Sequence, residues 1–258
     1  MRIVSVNVNG IRSAARKGFF DWMHASGADI VCLQEVRADA EQIAALDAHP
    51  GDWQFALHTA EKPGYSGVAI YSRQPPQAVR EGVGLDEFDR EGRYLELQFP
   101  GLKLISLYLP SGSSGAERQA AKYRFLDEFA LHMDKLTRGK DEVVICGDWN
   151  IAHTPLDICN DKSNKRTSGF LPAERAWLTN VLTERGWVDA FRRCYPTEEK
   201  QGYTWWSNRG KAWENNVGWR IDYQIVTPGL AARIHDSHVY RAQRFSDHAP
   251  LIVDYTDD

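Results

Sequence analysis

The chain has 258 residues, of which 43% are hydrophobic, and it carries a formal net charge of −4 at pH 7. This acidic balance argues against a protein that coats nucleic acid through its overall charge, but it does not exclude a local basic groove. No apolar run approaches the ~20 residues that a membrane-spanning helix needs. The composition therefore favours a globular enzyme or binding domain.

Four cysteines are present, Cys32, Cys146, Cys159 and Cys194, and no two of them form a C-x-x-C pair. Such isolated cysteines are typical of buried thiols in a reducing compartment. The N-terminus resembles a first strand and lacks the apolar core of a signal peptide. We therefore expect a cytoplasmic protein.

The first half of the chain predicts alternating strands and helices. Residues 2–8 indicate a strand, residues 14–25 a helix capped by Ser13, and residues 29–34 a second, buried strand. A helical stretch follows at 41–48. Residues 53–59 and 67–71 predict a strand pair, and residues 94–99 and 102–107 a hairpin, so part of the sheet is antiparallel.

The second half begins with the longest helical pattern, residues 116–135. A buried strand then leads into Gly147-Asp148-Trp149-Asn150, where Gly147 is expected to turn the backbone sharply. Residues 154–169 predict a long polar loop and residues 172–185 a helix. Strands are expected at 203–207, 219–226, 238–241 and 250–255. No stretch resembles a linker, so we expect one domain over residues 1–258.

Polar side chains stand at the ends of several predicted strands: Asn7, Glu35, Tyr108, Asp148, Asn150, Asp222, Asp247 and His248. Each alone has a plain alternative, such as Asp222 pairing with Arg220, or His248 being a surface histidine. Together they supply hard oxygen ligands without a Cys/His cluster, which suits Mg²⁺ or Mn²⁺ better than zinc. Carboxylates, amides and one histidine are the groups needed for metal-assisted attack on a phosphodiester.

Residues 203–221 interleave aromatic and cationic side chains, a pattern that suits base or sugar stacking beside phosphate contacts. Trp205 and Trp206 are consecutive in a predicted strand, so they face opposite sides and cannot both enter one pocket. The alternative is that tryptophans of this stretch belong to the core, and we favour it for at least one of this pair.

Six segments in order, Ser-Val-Asn-Val-Asn-Gly, Leu-Gln-Glu, Tyr-Leu-Pro-Ser-Gly, Gly-Asp-Trp-Asn, Trp-Arg-Ile-Asp-Tyr and Ser-Asp-His, resemble the exonuclease III family of apurinic/apyrimidinic (AP) endonucleases. That family belongs to the endonuclease/exonuclease/phosphatase superfamily. The resemblance implies a four-layer α/β sandwich of the DNase I type, with two mixed β-sheets face to face and helices outside. It also implies a site at one sheet edge that acts on double-stranded DNA.

By position in the family, Glu35 would be the main Mg²⁺ ligand, with Asn7 supporting it and Asp247 beside it. Asp148 would orient or deprotonate the attacking water, and Asn150 would hold Asp148 or the phosphate. Tyr108 and His248 would donate to phosphate oxygens, with Asp222 orienting His248. An aspartate partner favours the imidazolium form.

The resemblance also implies how DNA is held. Trp205, Trp219 and Ile221 would wall a pocket for a flipped, base-free deoxyribose, which an intact nucleotide would not fit. Candidate contacts to the DNA backbone follow, each with a solvated surface charge as the plain alternative: Arg118, Lys122, Asn164, Lys165, Arg209 and Arg220.

Three positions depart from the pattern of some relatives. Asn9 stands where they carry an aspartate that can contact metal, which puts a second metal ion in doubt. Ser111 and Thr167 each replace an asparagine and concern phosphate contacts.

The favoured function is a Mg²⁺-dependent AP endonuclease of base-excision repair, acting as a monomer on abasic sites or damaged 3′ ends. It would cut 5′ to the abasic site and leave a 3′-hydroxyl. The alternatives are a 3′→5′ exonuclease or 3′-end-trimming enzyme, a catalytically silent nucleic-acid-binding regulator, and a lipid or inositol phosphate phosphatase of the same superfamily.

Overall fold

The computed structural model describes residues 1–46 and 49–256, which form two six-stranded β-sheets between outer helices. The strands are β1 Arg2–Asn7, β2 Ile30–Gln34, β3 Gln54–His58, β4 Val68–Ser72, β5 Ala78–Glu81, β6 Tyr94–Phe99, β7 Leu102–Tyr108, β8 Glu142–Asp148, β9 Val188–Asp189, β10 Trp205–Trp206, β11 Gly218–Trp219, β12 Asp222–Val226, β13 Ile234–Val239 and β14 Leu251–Tyr255. The helices are α1 Ile11–Arg16, α2 Phe19–Ala25, α3 Ala40–Ala44, α4 Asp86–Asp89, α5 Ala116–Leu136, α6 Asp161–Asn164, α7 Pro172–Thr183, α8 Ala190–Cys194 and α9 Pro228–Ala231.

The first sheet has the strand order β13-β14-β1-β2-β4-β3, and the second has the order β5-β6-β7-β8-β12-β9. Each sheet is mixed, because β1 pairs parallel to β2 and β7 parallel to β8 while the other pairs are antiparallel. Strands β10 and β11 form a separate two-stranded ribbon. In the described part of the chain, no helix is both long and apolar enough to cross a bilayer.

Alternating side chains on the central strands build three apolar layers. In β8, Val144 and Cys146 belong to the cluster between the sheets, whereas Val143 and Ile145 pack with α5 and α7. In β1, Ile3 faces the other sheet, whereas Val4 and Val6 pack with α1 and α2. Strands buried on both faces need continuous apolar runs, which is what these segments contain. The predicted four-layer sandwich is confirmed.

The topology brings one end of each central strand to a common edge. The carboxyl ends of β1, β2, β7 and β8 lie there, since each sheet pairs these strands in parallel. Strand β12 runs antiparallel to β8, so its first residue, Asp222, lies opposite Asp148. Strand β14 runs antiparallel to β1, which brings the preceding His248 to the same edge.

Several predicted elements are confirmed, including both antiparallel strand pairs and the long helix α5. The single helix expected over 14–25 is wrong: it is two short helices, separated where Gly18 adopts a left-handed φ of 81°. Gly10, not Ser13, precedes the first of them. Strand β5 was not predicted, and the loop 154–169 contains the short helix α6. Part of the predicted helix 41–48 lies outside the described residues.

Two predictions for the later strands are also wrong. The strand expected over 219–226 is interrupted at Arg220 and Ile221, so that β11 pairs with β10 while β12 joins the second sheet. Gly147 does not make a turn but lies within β8. A Cβ atom there would come within 1.9 Å of the Leu107 carbonyl oxygen, so the glycine allows close approach of two backbones.

Candidate active site

Asn7 joins two carboxylates at the common sheet edge. Its side-chain Nδ2 donates to Glu35 Oε1 at 2.8 Å and to Asp148 Oδ2 at 2.9 Å, and its Oδ1 accepts from the Asn9 backbone N–H at 2.9 Å. Asn7 is fully buried, so this amide has a fixed orientation. Both amide protons and the amide oxygen of Asn7 therefore form hydrogen bonds, and Asn7 holds the two carboxylates at a fixed separation.

His248 and Asp222 form a second buried unit beside Asp148. His248 Nδ1 lies 2.8 Å from Asp222 Oδ2, and Nε2 lies 3.8 Å from Asp148 Oδ2. Burial alone would lower the pKa of His248, but attraction to Asp222 and the hydrogen bond to it raise that pKa to about 10. A pKa in this range favours the imidazolium at neutral pH, the form that an aspartate partner stabilises.

Asp148 has an unusual environment for a carboxylate. Burial raises its pKa, His248 opposes that rise, and the negative charges of Asp222 and Glu35 add to it. Asn150 lies next to it with a left-handed φ of 51°; its backbone N–H donates to Asp148 Oδ1 at 2.9 Å. The Asn150 side chain instead donates to the Leu109 carbonyl at 2.9 Å, so it braces the end of β7 rather than holding the Asp148 carboxylate.

Tyr108 is held from behind by Arg93, a residue that sequence reasoning missed. The Arg93 guanidinium lies 4.7 Å from the Tyr108 ring centre and donates to the Tyr108 carbonyl at 3.1 Å. It also donates to the Tyr65 hydroxyl at 2.9 Å. Burial, followed by the nearby charges of Glu35 and Asp148, raises the pKa of Tyr108 well above its usual range, so its hydroxyl stays a donor. Arg93 precedes the strand predicted over 94–99, so the alternation of that strand gave no signal for it.

The donor set fits a hard divalent cation. Asp148, Asp222 and His248 offer ligand atoms within 4.8 Å of one another, and His248 Nδ1 lies 2.8 Å from Asp222 Oδ2. Glu35 Oε1 accepts from Asn7 and Oε2 from Arg37, and the side chain lines the cavity over the site. After burial, the negative charges of Asp222 and Glu35 also raise the pKa of Asp148, and a cation held by Glu35 would offset this negative charge.

A cavity of about 460 Å³ opens over these groups. Three predicted pocket residues, Trp205, Trp219 and Ile221, line it together with Asp148, His248 and Asp247. The rings of Trp205 and Trp219 meet edge to face, with centres 5.8 Å apart and an angle of 86° between planes. Trp206 is fully buried, so the adjacent tryptophans face opposite sides, as their spacing predicts. Ser111 and Thr167 line the cavity too.

Two of the predicted DNA contacts are wrong. Arg220 is 1% exposed, and its guanidinium lies 2.7 Å from both Asp157 and Asp189, so it joins a loop to β9 inside the protein and is unavailable to a phosphate. It does not pair with Asp222 either. Lys122 is fully buried and bonds to Glu174 at 2.6 Å. The acidic partners of Arg220 and Lys122 are distant in the sequence, so the local pattern suggested that both cations were free.

The other candidate contacts remain at the surface. Arg118 lines the cavity but is paired with Glu91, through distances of 2.9 and 3.1 Å to its two carboxylate oxygens. Asn164 donates to the Asn160 carbonyl at 3.0 Å within α6. Lys165 and Arg209 are exposed and do not line the cavity. The structure therefore brings the catalytic candidates together and leaves Asn164, Lys165 and Arg209 outside the cavity.

Comparisons with known proteins agree with this geometry. A profile described as "Endonuclease/Exonuclease/phosphatase family" matches residues 4–248. An exodeoxyribonuclease of Bacillus subtilis is 38% identical over 252 residues, covering 97% of this chain and 98% of the relative. The DNA repair nuclease APEX1 of Danio rerio is 34% identical and is matched over 98% of this chain and 81% of its own length.

Solved structures are similar over nearly the whole chain. An AP endonuclease from Archaeoglobus fulgidus superposes with a TM-score of 0.88 at 28% identity, covering 99% of both chains. The 3′ phosphatase NExo from Neisseria, bound to product DNA hairpin, gives a TM-score of 0.89 at 27% identity, again over 99% of both chains. With its sequence matched from end to end and its fold shared, this chain belongs to the endonuclease/exonuclease/phosphatase family.

Proposed function

We propose that this protein is a Mg²⁺-dependent AP endonuclease of base-excision repair, which hydrolyses the phosphodiester 5′ to an abasic site and leaves a 3′-hydroxyl. One observation carries the proposal: the cavity that Trp205, Trp219 and Ile221 line also contains Asp148 and His248. A sugar without a base would fit between the aromatic walls with its phosphate over the polar groups. Relatives named as a repair nuclease and as an AP endonuclease support this reading.

The residues of the cleft divide the chemistry among them. Asp148, oriented by Asn7 and by the Asn150 backbone N–H, would accept the proton of the attacking water. The His248 imidazolium and the Tyr108 hydroxyl would donate to phosphate oxygens as negative charge develops on them. Asp222 would hold the imidazolium in place through Nδ1.

Glu35 is the residue that would hold Mg²⁺, and Mn²⁺ would be a substitute, because both prefer carboxylate oxygen ligands. A bound divalent cation would neutralise charge on the phosphate and on the leaving oxygen. Asn7 would keep Glu35 in position through its hydrogen bond to Oε1. With Asn9 in place of an acidic residue, one ion is the expected number.

A second activity of the same cleft is removal of nucleotides or blocking groups from 3′ ends. An exodeoxyribonuclease among the relatives favours it, and the same carboxylate and imidazolium would serve. A silent regulator is disfavoured, because every residue to which the proposed chemistry assigns a role lies at the cleft. We propose that a single chain acts on duplex DNA, since all the groups of the cleft come from one chain.

The test is a duplex carrying one abasic analogue, incubated with and without Mg²⁺, beside a duplex with a recessed 3′ end. Asp148→Asn and His248→Ala should each lower the rate of abasic cleavage by about a hundredfold or more, with DNA affinity largely kept. Asp21→Asn and His24→Ala, at exposed positions of α2, are the matched controls and should cleave normally. Near-normal cleavage by either cleft variant would refute the assignment.

A further inference from the structure

The Asp247 carboxylate is engaged by two neutral donors. Its Oδ1 accepts from Asn9 Nδ2 at 2.9 Å, and its Oδ2 accepts from the indole Nε1 of Trp205 at 3.1 Å. The resemblance places Asp247 at the metal site, and in the structure both of its carboxylate oxygens accept hydrogen bonds from neutral groups. Asn9 is the position where some relatives carry an acidic group, so here it supplies a donor instead.

The backbone joins the same two segments. The Trp206 N–H donates to the Asp247 carbonyl at 3.0 Å, and Trp205 forms a bridge with His248. Ser246, which precedes Asp247 in the chain, donates from its hydroxyl to the Asn7 carbonyl at 2.6 Å. The loop that carries His248 is therefore attached to the pocket wall on one side and to the end of β1 on the other.

The orientation of the Trp205 ring depends on its hydrogen bond. The χ2 torsion of tryptophan is broad, so packing against Trp219 alone permits more than one ring orientation. A carboxylate acceptor at Nε1 selects one of them, because a flipped ring would point its N–H away from Asp247. Trp205 is only half-buried, which leaves this bond as its main polar restraint.

We infer that Asp247 is a positioning residue for substrate selection: it fixes the Trp205 indole as a wall of the sugar pocket and connects that wall to the loop bearing His248. This inference rests on the proposed function, and it gives Asp247 a role in choosing the substrate instead of holding the cation. Selection then depends on one indole N–H, which phenylalanine cannot supply.

The first test needs no substrate. In a ¹H–¹⁵N spectrum of the nine tryptophan indoles, Trp205→Phe identifies the Trp205 Nε1–H signal by its disappearance. An N–H bonded to a carboxylate resonates downfield, so Asp247→Ala should shift this signal upfield. Addition of Mg²⁺ to the unaltered protein should leave it nearly in place. A Trp205 signal that ignores Asp247→Ala, or one that Mg²⁺ displaces as far as Asp247→Ala does, would overturn the inference.

The second test measures selectivity as the ratio of cleavage rates on abasic and intact duplexes. Trp205→Phe and Asp247→Ala should each lower that ratio by about tenfold, the effect expected for one hydrogen bond to a charged group. The double variant should be no worse than the poorer single variant, because both changes remove the same bond. Trp177→Phe is the matched control, since its indole donates to the Leu126 carbonyl away from the cleft, and it should keep the ratio.

Asp247→Asn separates positioning from metal binding. Its amide oxygen still accepts from an indole, so selectivity should return in part, and half-maximal activity should need the same Mg²⁺ concentration. A metal ligand would behave otherwise: Asp247→Asn would be as impaired as Asp247→Ala, and both would need more Mg²⁺, which would refute the inference. If the unaltered protein does not cut abasic duplex, the proposed function fails, while the indole spectrum still decides the role of Asp247.

Discussion

The buried pair of Lys122 and Glu174 offers a sharp test of the structural reasoning. Both side chains are fully buried. Glu174 Oε1 accepts from Lys122 at 2.6 Å and from Gln119 at 3.0 Å, and its Oε2 accepts from the backbone N–H groups of Gly169 at 2.7 Å and Leu171 at 3.0 Å. Lys122 also donates to the Asn150 carbonyl at 2.8 Å. The pair thus fixes the end of the loop that lines the cavity.

Removing one partner leaves the other charge in the interior without compensation. Burial already lowers the pKa of Lys122, against the opposing attraction of Glu174, so an unpaired ammonium is costly there. We expect Lys122→Met or Glu174→Leu to lower the free energy of unfolding by about 3–5 kcal/mol each. The double variant leaves no unpaired charge, so its loss of unfolding free energy should be smaller than the sum of the two single losses, with a coupling of about 2–3 kcal/mol. It still destabilises the protein, because several backbone groups lose their partners.

The assay is urea unfolding of the four proteins at pH 7, followed by circular dichroism. Arg124 and Glu87 are the matched control, since this pair is about half exposed, with 55% and 48% of the two side chains accessible. Solvent screens an exposed pair, and its double-mutant cycle should show little coupling. Equal coupling in the two cycles would refute the view that the buried pair organises the loop.

Three further predictions concern the metal, the pH and the backbone. If Glu35 holds the cation, Glu35→Gln should raise the Mg²⁺ concentration for half-maximal cleavage, and an unchanged titration would place the cation elsewhere. Burial lowers the pKa of His132 to about 4 from its ordinary 6.5, so the unfolded chain binds the proton first and stability falls as the pH drops from 6.5 toward 4. His132→Gln should remove about 2 kcal/mol of the stability lost between pH 7 and pH 5, and equal pH profiles in urea unfolding would contradict this. Gly147→Ala should prevent normal folding, because its Cβ would meet the Leu107 carbonyl oxygen at 1.9 Å, whereas Gly139→Ala, with its nearest contact at 3.6 Å, should fold; soluble yield and melting temperature decide.

The central sheet strands and their polar ends were predictable because their information is local. Alternating or continuous apolar residues mark β1, β2, β7 and β8, and the polar residue that follows each strand marks the sheet edge. Parallel pairing then requires these ends to lie together. The order of the motifs along the chain resembled a known family, which supplied the roles that periodicity could not.

Several of the errors share a physical cause, since they depended on partners distant in sequence. Arg220 looks like a free cation beside aromatic residues, yet Asp157 and Asp189 enclose it. The conformation of Gly147 depends on β7, and the break before β12 depends on the ribbon partner β10. The hydrogen bonds from Asn9 and Trp205 to Asp247 are likewise formed between segments that are distant in the sequence. A single sequence does not reveal which distant groups will meet.

Because β1 lies between β14 and β2, the first sheet joins segments that are far apart in the chain. All strands of the second sheet lie between Ala78 and Val226, so that sheet can form while the first is still incomplete. The first sheet needs β14, and His248 reaches the cleft only through the loop before that strand. Because domains emerge from the ribosome N-terminus first, a nascent chain has Asp148 and Glu35 long before it has its imidazolium. The proposed nuclease therefore stays inactive until almost all of this sequence has been made.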